Sequence, residues 1–197
     1  MSVDRERVRA LVHELLEAIG EDPDRPGLRQ TPQRVADAYA EFFEGVGEDA
    51  SAPLAHTISV SSGPAPDTVP SGAVMLRDIR FRSVCEHHLL PFIGHAHIAY
   101  LPGEQVVGLG ALPKVVGILS SRPQVQERLG EQIADAIATS LDARGVLVVL
   151  DATHQCVTTR GEQQADASTV TIAARGELAE PAARAELIAL IAAGADR

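Results

Sequence analysis

The chain of 197 residues contains no tryptophan, four phenylalanines, two tyrosines, two cysteines and a single lysine. With so few rings, the core must be aliphatic, built from Val, Ile, Leu and Ala. Two cysteines, Cys85 and Cys156, cannot form a disulfide framework, and a reducing compartment leaves them as thiols. No run approaches the roughly 18 apolar residues of a membrane span. The N-terminal segment mixes both charges on a helical period and lacks the apolar centre of a signal peptide. A cytoplasmic protein with no membrane partner is therefore expected. The net charge of −10 argues against a nucleic-acid binder, which needs a basic face. A phosphorylated ligand would have to be held by a local cluster of cations against the field of the whole chain.

What is present suits a single domain with a helical appendage: 45% hydrophobic and 22% charged residues are enough for a full core. Val8, Leu11, Val12, Leu15, Leu16 and Ile19 fall at helical spacing, closed by Gly20. Thr31-Pro32 reads as an N-cap and first helical residue, with Val35, Tyr39, Phe42 and Phe43 along one side of the helix that follows. Residues 1–45 thus form a helical region, and the Gly, Pro and Ser of 46–72 a linker. The main domain, 73–197, opens with two strand-like runs, 73–84 and 91–101, that flank CEHHLL. A short helix near 112–120 and a longer one over 124–141 follow, then strands at 145–156 and 168–178 and a last helix from Pro181. The order β-β-α-α-β-β is α+β rather than an alternating parallel sheet.

Both cysteines stand beside histidines, in Cys85-Glu86-His87-His88 and His154-Gln155-Cys156. Zinc favours thiolate and imidazole ligands, and a catalytic zinc keeps three protein ligands with a fourth position open to water. Cys85 and His88 have a spacing that lets one turn supply two ligands, and Cys156, at a strand end, can supply the third. His87 and His154 remain open at this level among ligand, proton carrier and bystander. His95 and His97 read as strand-face residues, His13 and His56 as solvated ones. A buried thiol pair among unrelated surface histidines is the plain alternative.

The segments CEHHLLPFIGHAHIAYLP, RPQVQERLGEQIADAI, DATHQCVTTRG and STVT, in that order and spacing, resemble the GTP cyclohydrolase I family. The likeness runs from about Thr31 to Leu178. It implies the tunnelling fold, an antiparallel four-stranded sheet with two helices between its middle strands, and a ring-shaped homodecamer with active sites at subunit interfaces. It implies Cys85, His88 and Cys156 as Zn2+ ligands, and His87 and His154 as acid/base residues. Glu127, with Gln126 beside it, matches the carboxylate that reads guanine N1 and N2; two adjacent N–H donors suit a carboxylate that accepts both. Arg160 matches a phosphate-contacting arginine. Lys114, Arg34, Val125 and Leu109 are counted with the substrate-binding residues. The implied partner is a guanine nucleotide, GTP, converted to 7,8-dihydroneopterin triphosphate with loss of formate.

The chain departs from the family pattern where the ribose–triphosphate end is expected. The usual GLSKL reads Gly108-Leu109-Gly110-Ala111-Leu112, so a serine has become Gly110 and a lysine Ala111, while Lys114 keeps a charge where arginine is usual. Asp37 stands where many members have lysine. Each charge-assisted phosphate contact is worth about 1.5–3 kcal/mol, so losing two weakens a triphosphate substantially unless other cations compensate. Two further readings follow. One is a paralogue that opens the imidazole ring of a less phosphorylated nucleotide such as GMP, or stops before pterin ring closure. The other is a non-catalytic guanine-nucleotide-binding or zinc-stabilised ring protein.

Overall fold

A computed structural model describes residues 3–60 and 72–193. The chain divides into two compact units, 1–48 and 49–197.

In the first unit, α1 (Arg5–Ala18) starts where the Asp4 carboxylate accepts the Arg7 N–H at 3.0 Å, the standard service of an N-cap. It stops at Gly20, whose φ of +87° suits glycine in a helix-ending turn. The second helix, α2 (Thr31–Phe42), begins one residue earlier than Thr31-Pro32 suggests: Gln30 takes the cap position and offers no side-chain hydrogen bond. Leu16 of α1 and Ala36 of α2 are buried, whereas Leu11, Leu15 and Ile19 are exposed.

The second unit is built on a sheet of β2 (Val74–Cys85), β3 (Pro91–Leu101), β6 (Gly145–His154) and β7 (Thr169–Gly176), each antiparallel to its neighbour. A two-residue strand, β5 (Pro123–Gln124), adds a short parallel pairing outside β2. Alternation along β3 sends Phe92, Ala96, Ile98 and Tyr100 inward. There they meet α3 (Ala111–Ser120) and α4 (Gln126–Leu141), which cross between the two halves of the sheet in sequence. Leu129, Ile133, Ile137 and Leu141 recur every fourth residue and are fully or nearly fully buried, each worth roughly 1.5–3 kcal/mol of transfer energy. This is the α+β arrangement that the resemblance implies. The sheet's other face carries a second small core, where Ala99, Leu147, Val149 and Leu178 meet Leu187, Ile188 and Ile191 of α6 (Pro181–Ala192).

Two details place the site. At Gly94, opposite Ala152 on β6, a Cβ would fall on the Asp151 carbonyl oxygen and lie 2.6 Å from the Ala152 Cβ, so β3 and β6 approach closely there. The strand reading of 145–156 also runs too far. It ends at His154, and Cys156 lies on a one-turn helix, α5 (Gln155–Thr158). The linker expected over 46–72 is partly structured: Ala52–Leu54 form a 3-10 turn, and β1 (Thr57–Ser59) pairs with β4 (Gln105–Val107). Its remainder, 61–71, lies outside the described residues. Among those described, no helix is long and apolar enough to cross a membrane.

Candidate metal centre and active site

The turn from β2 to β3 is closed by its own backbone. Cys85 N–H donates to Leu90 O at 2.8 Å and Leu89 N–H to Cys85 O at 2.8 Å, while Glu86 N–H reaches Gln124 O on β5 at 3.0 Å. Leu89 takes φ +52° to make the reversal. This geometry returns His88 towards Cys85, with Nδ1 4.0 Å from Sγ. From the other side β6 pairs with β3 so that His154 lies opposite Phe92, and the next turn of chain brings in Cys156. The ligand atoms of Cys85, His88 and Cys156 all lie within 4.8 Å of one another.

That donor set fits zinc. Tetrahedral bonds to sulfur and nitrogen place neighbouring ligand atoms about 3.5–3.8 Å apart, a contraction from the observed spacing of up to 4.8 Å. Cys85 is buried, Cys156 half-buried and His88 exposed, so the centre is walled on one side and open on the other. Burial, followed by the nearby Cys85 thiol, pushes the Cys156 thiol up, and the charge of Arg160 pulls it partly back. Two thiols this close resist ionising together, and a divalent cation reverses that preference.

His154 borders this centre. Its ring stacks on Phe92 with centroids 4.5 Å apart and planes 6° from parallel, and its Nε2 lies 2.7 Å from Gln126 Oε1. Burial holds its pKa below the usual histidine value, and the nearby Glu127 carboxylate opposes that shift. Glu127 is exposed in the first turn of α4. Gln126, one residue earlier, is 1% exposed. Its Nε2 donates to Thr169 O at 2.8 Å, Leu150 O at 3.1 Å and Thr171 Oγ1 at 3.2 Å. The Gln126 side chain therefore points into the protein, away from the surface on which Glu127 stands. Val125, just before the helix, is extended and half-buried. His87 is exposed, its ring 6.3 Å from that of His88 and edge-on to it, with Nε2 3.9 Å from a Glu86 carboxylate oxygen.

Lys114 and Arg160 are exposed and make no ion pair with any described residue. Leu109 is exposed on the segment that opens α3. Arg34 belongs to the first unit, where it donates to Gln30 Oε1 at 2.9 Å. In that same unit Asp37 is engaged by Arg5 at 3.2 Å and by Gln33, so its negative charge is partly met.

The family model described as GTP cyclohydrolase I matches residues 8–192. The chain belongs to the GTP cyclohydrolase I family. GTP cyclohydrolase 1 of Leifsonia xyli subsp. xyli (strain CTCB07) is 64% identical over 192 residues, covering 98% of this chain and 97% of that protein. GTP cyclohydrolase 1 of Rhodopirellula baltica is 48% identical over 190 residues, covering 96% of this chain and 80% of the relative. A crystal structure of archaeosine synthase QueF-Like in the apo form aligns with a TM-score of 0.45 at 18% identity, over 55% of this chain and 97% of that one.

For a member of the GTP cyclohydrolase I family, three side chains beyond the sequence-level candidates border the centre. Phe92 backs the His154 ring. Glu86 and Arg128 form a two-pronged ion pair that ties the turn bearing Cys85 and His88 to the first turn of α4. The paired signs of Glu86 and Arg128 in the CEHH and QERL segments were the available signal, but only the fold shows that they meet.

Proposed function

We propose that this chain is a zinc-dependent GTP cyclohydrolase that hydrolyses GTP at guanine C8, releases formate and yields 7,8-dihydroneopterin triphosphate. The observation that carries the reading is the convergence of a Cys85–His88–Cys156 donor set with His154 and the first turn of α4. When bound, zinc supplies the Lewis acidity that makes water a nucleophile at neutral pH.

The residues of the chain do the rest. Glu127 accepts the N1 and N2 hydrogens of guanine and fixes the base. His154, partly buried, with burial holding its pKa below the usual histidine value, moves a proton to or from a ring nitrogen as C8 is hydrated. Ring opening and deformylation consume two waters, and one is returned when the freed amine condenses with the rearranged sugar. His87, exposed beside the metal turn, serves proton transfers on the ribose side. Arg160 and Lys114 meet the phosphates, with Val125 and Leu109 beside the base and sugar. We further propose a cytoplasmic homo-oligomer, a decamer with sites at subunit interfaces.

One observation favours a second reading. The segment at Gly110 and Ala111, which opens α3, carries no charge or hydroxyl before Lys114, which suits a ligand with fewer phosphates. Zinc-loaded protein given GTP and GMP separately, with formate followed and products identified by mass, tests both. Formate and a dihydropterin triphosphate from GTP support the first reading. Formate from GMP with little from GTP, or a product lacking the second ring, overturns it in favour of the second. Ala111→Lys with Gly110→Ser should then raise GTP affinity if those contacts are uncompensated.

A further inference from the structure

We propose that Gln126 is a positioning residue that fixes the tautomer of His154, holding the ring with its proton on Nε2 and leaving Nδ1 as the nitrogen that exchanges a proton with substrate. The inference rests on the reading of His154 as a proton carrier and adds the atom that acts.

The argument starts from acceptors that have no second role. A backbone carbonyl only accepts hydrogen bonds, and one end of the Gln126 carboxamide faces two of them, Thr169 O at 2.8 Å and Leu150 O at 3.1 Å. That end must be the NH2 group, since the reversed amide would press its oxygen against both. The carboxamide oxygen is thereby turned towards His154, 2.7 Å from Nε2. An oxygen that only accepts requires a ring nitrogen that donates, so Nε2 carries hydrogen whatever the charge of the ring.

Two restraints then act on the ring together. Stacking on Phe92 sets its plane, and the hydrogen bond sets its rotation within that plane. The neutral ring keeps its lone pair on Nδ1, which has no hydrogen-bond partner among the described residues. Gln126 is itself immobile, being 1% exposed and anchored on β6 and β7 through Leu150 and Thr169. The same first turn of α4 thus sends adjacent side chains two ways. Glu127 faces outward, while Gln126 reaches the backbone of β6 and β7 and orients the histidine.

The test uses the zinc-loaded full chain labelled with 15N at histidine, its His154 signals assigned by their loss in His154→Gln. In the unmutated protein His154 should show a protonated-type Nε2 and a lone-pair-type Nδ1. The opposite pattern overturns the proposal. Because this spectrum needs no Gln126 variant, a folding failure in one leaves the proposal testable. In Gln126→Met the pattern should become mixed, kcat should fall at least about tenfold, as misoriented catalytic histidines cost, and KM for GTP should stay within about threefold, with zinc per chain unchanged. A rise in KM with kcat intact makes Gln126 a substrate contact and overturns the proposal. If the unmutated protein releases no formate from GTP or GMP, the functional reading fails, while the tautomer is still read from the spectrum.

Discussion

Replacing Phe92 with leucine separates the stability of the site from its chemistry. Phe92 is fully buried and makes two ring contacts: a stack on His154 at 4.5 Å and an edge-on contact with Phe81 at 6.0 Å and 80°. Such pairs are worth about 0.5–1.5 kcal/mol each beyond area burial. Leucine keeps most of the apolar volume and loses both contacts, so the expected destabilisation is about 1–3 kcal/mol. For a chain of this size that lowers the melting temperature by roughly 2–12 °C, read by thermal unfolding at matched protein concentration. With the stack gone, His154 is held by the Gln126 hydrogen bond alone. At a temperature well below the transition, kcat should fall while zinc content stays at the unmutated level. An unchanged melting temperature would show that the ring contacts contribute nothing. A lowered melting temperature with kcat intact would show that the stack does not orient the histidine.

Cys156→Ala should abolish both zinc binding and formate release, and metal analysis beside the activity assay separates it from His154→Ala, which should keep zinc and lose turnover. If His154→Ala turns over normally, the proton-transfer assignment fails. The neutral form of His97 accepts the Asp78 N–H at Nδ1 at 3.3 Å, and burial lowers its pKa while the Asp78 carboxylate partly offsets this. Because the unfolded chain takes up the proton first, this group's contribution is intact above about pH 6.5 and is lost as pH falls through the lowered folded-state value. Urea titrations should therefore show a steeper loss of stability below that pH for the unmutated protein than for His97→Gln, and equal slopes would refute the assignment.

Local periodicity carried most of the architecture into view. The four-residue recurrence of Leu129, Ile133, Ile137 and Leu141 and the alternation around Phe92, Ala96 and Ile98 are both rewarded by burial, so pattern and packing agree. The grouping of Cys85, His88 and Cys156 was legible because thiol and imidazole chemistry narrows the choice and a turn can present Cys85 and His88 together. What stayed hidden depends on tertiary placement. Gln126 and Glu127 are neighbours in sequence, and only the pairing of β6 with β7 shows that one side chain is enclosed and the other free. Cys156 sits on a turn of helix because the chain leaves β6 at His154, a boundary that the apolar run over 145–150 does not mark. Leu11, Leu15 and Ile19 fit the helical repeat of α1 yet remain exposed, since periodicity records a face without naming what covers it.

The thiols of Cys85 and Cys156 meet across about 70 residues of intervening chain. An ion gripped by both would close a covalent-like loop that takes in α3, α4 and the strands β3 and β6. By the chain-entropy account of cross-links, a loop of that length removes about 4 kcal/mol of freedom from the unfolded ensemble. An ion held there would thus act as a clasp on the domain, apart from any part it plays in the chemistry. A copy starved of zinc would open more often and fall to proteases, so the metal supply would set the amount of enzyme present together with the fraction that is active.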